Sequence, residues 1–171
     1  MRAVPWRHVP KVLEFQLGRP AQTPWRVVIG CKYGAPQVLA SPSKLDNGDY
    51  NPQWAWLTCP FLRKSIGRYE DKGGCVQATE FLEKSPHFTQ QILDLDQEIR
   101  SVRAEESGGI DHTPDVGLAG SANPLKVKCI HSHVAYHLAG LRSPIGREYL
   151  RLYSRTCADR KCLQKVSAGV L

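Results

Sequence analysis

The alternation of apolar and polar positions divides the chain into a short β region and a longer helical one. Lys11-Val-Leu-Glu-Phe-Gln-Leu17, with Pro10 in its first turn and Gly18 just beyond its end, predicts a short N-terminal helix. Arg19 to Pro24 reads as a linker. Trp25-Arg-Val-Val-Ile29 is β-branched and aromatic and predicts a strand ending at Gly30-Cys31. Lys32 to Pro36 supplies turn chemistry and Gln37 to Ala40 the returning strand. Gln53-Trp-Ala-Trp-Leu57 is a third strand, after a loop that carries Asp46-Asn47-Gly48. The three strands predict an antiparallel meander.

Helical periodicity takes over at Thr58-Cys59-Pro60, which stops the strand and places proline at the first helical position. This helix is expected to run to about Lys72, where Gly73-Gly74 ends it. Cys75 to Lys84 predicts a second, shorter helix. Beyond Ser85-Pro86, the residues Phe88, Ile92, Leu95, Ile99 and Val102 recur at three- and four-residue intervals, one face of a long amphipathic helix. Ser107 to Pro124 has no period and is rich in glycine and proline, a long loop of the kind that tends to be functional or mobile. Leu125 to Lys128 reads as a short strand or extended lead-in, Cys129 to Leu138 as a helix, and Ser143-Pro144 as the start of a last helix to about Arg155. The expected architecture is α+β, a small three-stranded antiparallel meander packed with about five or six helices. It forms a single domain over 1–171, with an N-terminal helix and linker (1–24), the loop at 107–124 and a basic C-terminal tail (156–171).

Composition adds bounds. Apolar residues make up 42% of the 171, enough for a real core. No apolar run approaches the roughly 18–20 residues of a membrane span, and Met1 to Lys11 has no apolar stretch suited to a signal peptide. The expectation is a soluble cytoplasmic protein with no membrane partner. The net charge is +7. It is uneven: Arg142 to Lys165 carries +5, and Glu80 to Glu106 carries −4. A basic C-terminal stretch, with Arg147, Arg151 and Arg155 on one helical stripe, suits a nucleic acid or other polyanion; an acidic helix in the same chain offers those arginines an internal partner instead.

Six cysteines in a reducing compartment are expected to be thiols, hence buried, catalytic or metal-bound. Cys129-Ile-His131-Ser-His133-Val-Ala-Tyr-His137 is the densest ligand cluster. On a helix, Cys129, His133 and His137 stand at i, i+4 and i+8 and share one side, while His131 points elsewhere, to a supporting or surface position. In a meander the first and third strands run the same way, so Cys31 and Cys59, which end them, belong to one rim. Cys59 also precedes a helix start, where a thiolate is favoured. The candidate metal ligands are therefore Cys31, Cys59, Cys129, His133 and His137, a set suited to zinc or an iron–sulfur cluster. Cys157-x4-Cys162 has metal-like spacing but nothing nearby in sequence to complete it, and Cys75 lies a helix length from the rim. Candidate catalytic groups are Cys59 as nucleophile, with a histidine as base (His131 among them), and Asp111 in the long loop as an acid–base group.

Several of these segments resemble a known family. Gln16-Leu-Gly-Arg19, Cys31-Lys-Tyr-Gly-Ala-Pro36, Trp56-Leu-Thr-Cys-Pro60, Glu70, and Lys128-Cys-Ile-His131 with His133, His137 and Leu138-Ala139 are similar to the bacterial proteins catalogued as domain of unknown function 501, over roughly Val12 to Arg147. The resemblance implies a small bacterial cytoplasmic protein with no established activity, and it brings no catalytic assignment. Its motifs contain Cys31, Cys59 and Cys129 and leave out Cys75, Cys157 and Cys162. Three readings remain open: a metal-site protein acting on an unknown small molecule, a polyanion-binding module, and cysteine chemistry without metal.

Overall fold

The computed structural model describes residues 9–21 and 24–167; residues 1–8, two positions of the expected linker (22 and 23) and the end of the basic tail (168–171) lie outside it. Its elements run α1 (Val9–Leu17), β1 (Arg26–Gly30), β2 (Pro36–Ala40), β3 (Ala55–Leu57), α2 (Pro60–Glu70), α3 (Gly74–Glu83), α4 (Pro86–Glu106), a 3-10 turn (Leu118–Gly120), α5 (Ile130–Leu138), α6 (Pro144–Leu152) and α7 (Lys161–Ser167). The sheet is the meander β1-β2-β3, antiparallel throughout. With seven helices among the described residues, the fold is α+β.

The central strand explains the layering. Every residue of β2 is buried, because β1 and β3 pair with its two edges and helices cover its faces. In β3 the pattern is buried–exposed–buried, so Ala55 and Leu57 face the core and Trp56 faces out. The main core joins these strands to Leu62 and Ile66 of α2, Ile92, Leu95 and Ile99 of α4, and most of α5. A second, small core lies on the far side of the sheet, where Val9, Val12 and Leu13 of α1 meet Ala35 and Leu39, with Cys162 and Leu163 of α7 packed against it.

Several boundaries differ from expectation. No strand forms at Leu125 to Lys128, which is a turn and extended backbone. The last predicted helix stops at Leu152, and α7 forms within the basic tail. Cys129 is not helical: with φ −155° and ψ 112° it is the extended residue that precedes α5. That last shift removes Cys129 from the stripe of His133 and His137.

The long loop is fastened by two buried polar residues of α4. Arg103 is fully buried and donates to Asp111 (2.6 and 3.2 Å) and to the carbonyls of Pro52 (3.0 Å), Thr113 (3.1 Å) and Val116 (2.7 Å). Asp96 accepts from the Leu118 N–H at 2.7 Å and from Arg100 at 2.9 Å. Gly117 is required here, since a Cβ at that position would overlap the Asp96 carboxylate. Gly146 plays the same part between α5 and α6, where a Cβ would run into the His133 carbonyl.

Candidate functional site

The three candidate residues of the α5 segment that are histidines have three different surroundings. His133 is buried, and its Nδ1 lies 3.0 Å from Ser143 Oγ, the same hydroxyl that caps α6 by accepting from Gly146 N–H. With that oxygen accepting from the backbone, its proton is free to go to Nδ1, which fits a neutral ring. Burial lowers the His133 pKa to about 4. His137 is half-buried; burial, then Arg155 and Arg147, lower it, and its Nδ1 is without a hydrogen-bond partner.

His131 is the opposite case. Its Nδ1 is 3.0 Å from Glu70 Oε2 and its Nε2 is 3.1 Å from the Arg63 carbonyl. An ionised Glu70 and a carbonyl are both acceptors, an arrangement that favours protons on both ring nitrogens and hence the imidazolium. Burial opposes that charge, but Cys129, Glu70 and the Arg63 carbonyl together raise its pKa above the ordinary value. Arg63 and Glu70 lie two turns apart on α2, so one face of that helix supplies both acceptors. Glu70 does a second job through Oε1, which accepts from the Ile130 N–H at 2.5 Å and so caps the start of α5.

Cys129 completes the group. Burial and the Glu70 charge would raise its thiol, but the neighbouring His131 and Ser132 outweigh them and lower it. Glu70, Cys129 and His131 bring one ligand-type atom each within 4.8 Å of one another, and no other such trio forms among the described residues. Cys75 adjoins it from α3, with burial and then Glu70 raising its thiol. Cys129 and His131 line an open groove of about 460 Å³ whose walls include Arg19, Trp56, Arg63 and Ser132, within the volume range of small-molecule sites.

The remaining candidates lie elsewhere. Cys31 and Cys59 line a different cavity together with Cys157 and Cys162. The five expected ligands therefore fall into separate places: Cys31 with Cys59, Cys129 with His131, and His133 and His137 along α5. Asp111 is taken up by Arg103 and by the Thr113 N–H at 3.0 Å, contacts that hold a loop. Of the arginine stripe, Arg151 pairs with Glu148 at 2.8 Å and Arg147 lies over Phe88 of α4, so the cations meet their own helix and an aromatic ring rather than the acids of α4.

The sequence profile of the family described as "Protein of unknown function (DUF501)" matches residues 27–151. The chain belongs to this family. No curated protein and no solved structure matches it. Within this DUF501 chain the matched segment holds all of Glu70, Cys129 and His131 as well as Cys31 and Cys59, and it ends before Cys157. Among the described residues no helix is long and apolar enough to cross a membrane. From the sequence, Glu70 entered only among the residues that carry the family resemblance, and His131 was expected at a supporting or surface position and as one of the candidate bases. The available signal was the spacing of Glu70 at the end of one helix and the polar start of another, which only tertiary packing turns into a contact.

Proposed function

We propose that Cys129 is the reactive centre of this DUF501 protein, a thiolate that attacks an electrophilic small molecule bound in the adjoining groove. One observation carries the reading: His131, held between a carboxylate and a carbonyl and therefore cationic, lies against the sulfur at the start of a helix. A thiolate gains from both neighbours, the imidazolium charge and the free N–H groups of the helix start. His131 here stabilises the ionised sulfur and does not take its proton, since its ring nitrogens are already protonated. Glu70 positions His131 and keeps it charged. Trp56 offers an apolar wall and Arg19 and Arg63 bring cations, which favours a substrate with an apolar portion and a negative charge.

The test is the pH dependence of Cys129 alkylation by iodoacetamide, resolved from the other five cysteines by peptide mass spectrometry. The expected midpoint lies below about 8.5, the ordinary thiol value, and moves up in His131→Gln, with a several-fold slower reaction at neutral pH. An ordinary midpoint that His131→Gln leaves unchanged would overturn the proposal.

A second reading rests on the mutual approach of the same three ligand atoms. Three protein ligands with an open fourth position are how zinc activates water or polarises a substrate. Metal binding would need His131 to give up a ring proton. Bound metal that is lost in His131→Gln, with Cys129 resistant to alkylation until it is removed, would select this reading over the first.

A further inference from the structure

Helix α2 presents two different faces. The Arg63 carbonyl and the Glu70 carboxylate meet His131, whereas Phe61, Lys64 and Arg68, at i, i+3 and i+7, form an exposed stripe on the other side of the helix. This stripe is one wall of a groove of about 270 Å³; Lys161 of α7 and the connection that leads into it form the other. Three cations line the groove, Lys64, Arg68 and Lys161, against the single carboxylate of Asp159. Asp159 lies 3.2 Å from Lys161 Nζ and is taken up there. Lys64 and Arg68 have no ion pair among the described residues.

That sets the two apart from most cations of the fold. Arg26, Arg100, Arg103 and Arg151 are each held by a carboxylate, and Arg63 donates to the Gln16 carbonyl. Like charges one turn apart on a helix repel, and the positive end of the α2 dipole lies on the same side of the groove as Lys64. An anion seated between α2 and α7 turns both costs into attraction. We propose that this groove binds single-stranded nucleic acid, with Lys64, Arg68 and Lys161 on phosphates and Phe61 against a base.

Two observations narrow the anion to that class. Phe61 lines the same groove and is 37% exposed. An aromatic ring beside a row of cations is how sequence-tolerant single-strand sites combine stacking with phosphate contact. A base can lie on that ring only when it is free of its own duplex, which a single strand offers. Spacing is the second observation: four residues separate Lys64 from Arg68, about 6 Å along the helix axis, close to the step between phosphates on an extended strand. The net charge of +7 supplies a long-range field that draws such a strand in.

The experiment is fluorescence anisotropy of labelled oligouridylate and oligothymidylate, titrated with the full chain at several salt concentrations. Both strands are expected to bind, since neither the cations nor the ring reads the 2′-hydroxyl, and affinity is expected to fall as salt rises. In Lys64→Gln/Arg68→Gln the slope of log affinity against log salt should become shallower by about 1.4, two phosphates at about 0.7 each. Phe61→Ala should weaken binding about tenfold and leave the slope unchanged. Arg151→Gln, exposed but outside the groove, should match the wild type. All four positions are exposed, so these variants are expected to fold, which their melting temperatures check. Wild-type protein without salt-sensitive binding would overturn the proposal, as would an unchanged slope in the double variant. Polyglutamate that displaces the strands as well as unlabelled oligomer, with no effect of Phe61→Ala, would overturn it too and would make the partner an acidic protein segment. The wild-type titration and the polyglutamate competition decide the matter even if a variant fails to fold.

Discussion

Three histidines within one seven-residue stretch titrate differently because each meets different neighbours: His133 and His137 are lowered and His131 is raised. His133 faces a hydroxyl and no countercharge, so burial wins and the ring stays neutral, with a pKa of about 4. His131 faces two acceptors and a thiol, and those win over burial. The consequence for stability has a definite sign. An unfolded histidine protonates near 6.5, so between about pH 6.5 and 4 the unfolded chain gains a proton at position 133 that the folded chain refuses. Stability is full above that window and falls as pH drops through it, by about 3 kcal/mol in all. Urea unfolding of the wild type and His133→Gln at a series of pH values checks this: the variant, which keeps a partner for Ser143 but does not titrate, is expected to lose that part of the acid slope. Arg103 is the other residue whose surroundings decide its role. Its removal in Arg103→Met strands Asp111 and three carbonyls and is expected to cost about 3–5 kcal/mol in the same measurement.

At the scale of elements, what was legible depended on whether the signal was local. Proline at helix starts, glycine after helix ends and the apolar stripe of α4 are local, and α2, α3 and α4 begin and end within a few residues of where those signals put them. The meander was legible because turn chemistry and β-branched runs alternate over a short stretch. The start of α5 was not: Cys129 continues a plausible helical pattern, and what makes it extended is Glu70, sixty residues away in sequence, capping the Ile130 N–H. One residue of shift changed the partner of Cys129 from His133 to His131. The cysteine pair at 157 and 162 was illegible for a similar reason. Its spacing was visible, but the cavity that joins it to Cys31 and Cys59 exists only once α7 folds back over the sheet.

At the scale of the molecule, the thiols fall into two separate places. One sits at the open edge of a groove, where α2 and α5 converge and an imidazolium lies beside the sulfur. The other lines a small cavity where the chain's C-terminal helix meets the end of its first strand and the start of its second helix. Open and charged suits reactivity. The central claim concerns the first group, and the ionisation of Cys129 measures it directly. A pH titration of thiolate ultraviolet absorbance, taken as the difference between wild type and Cys129→Ser, isolates that single sulfur from the other five cysteines. The account predicts a step clearly below the ordinary thiol value of about 8.5. A step at or above that value would contradict it.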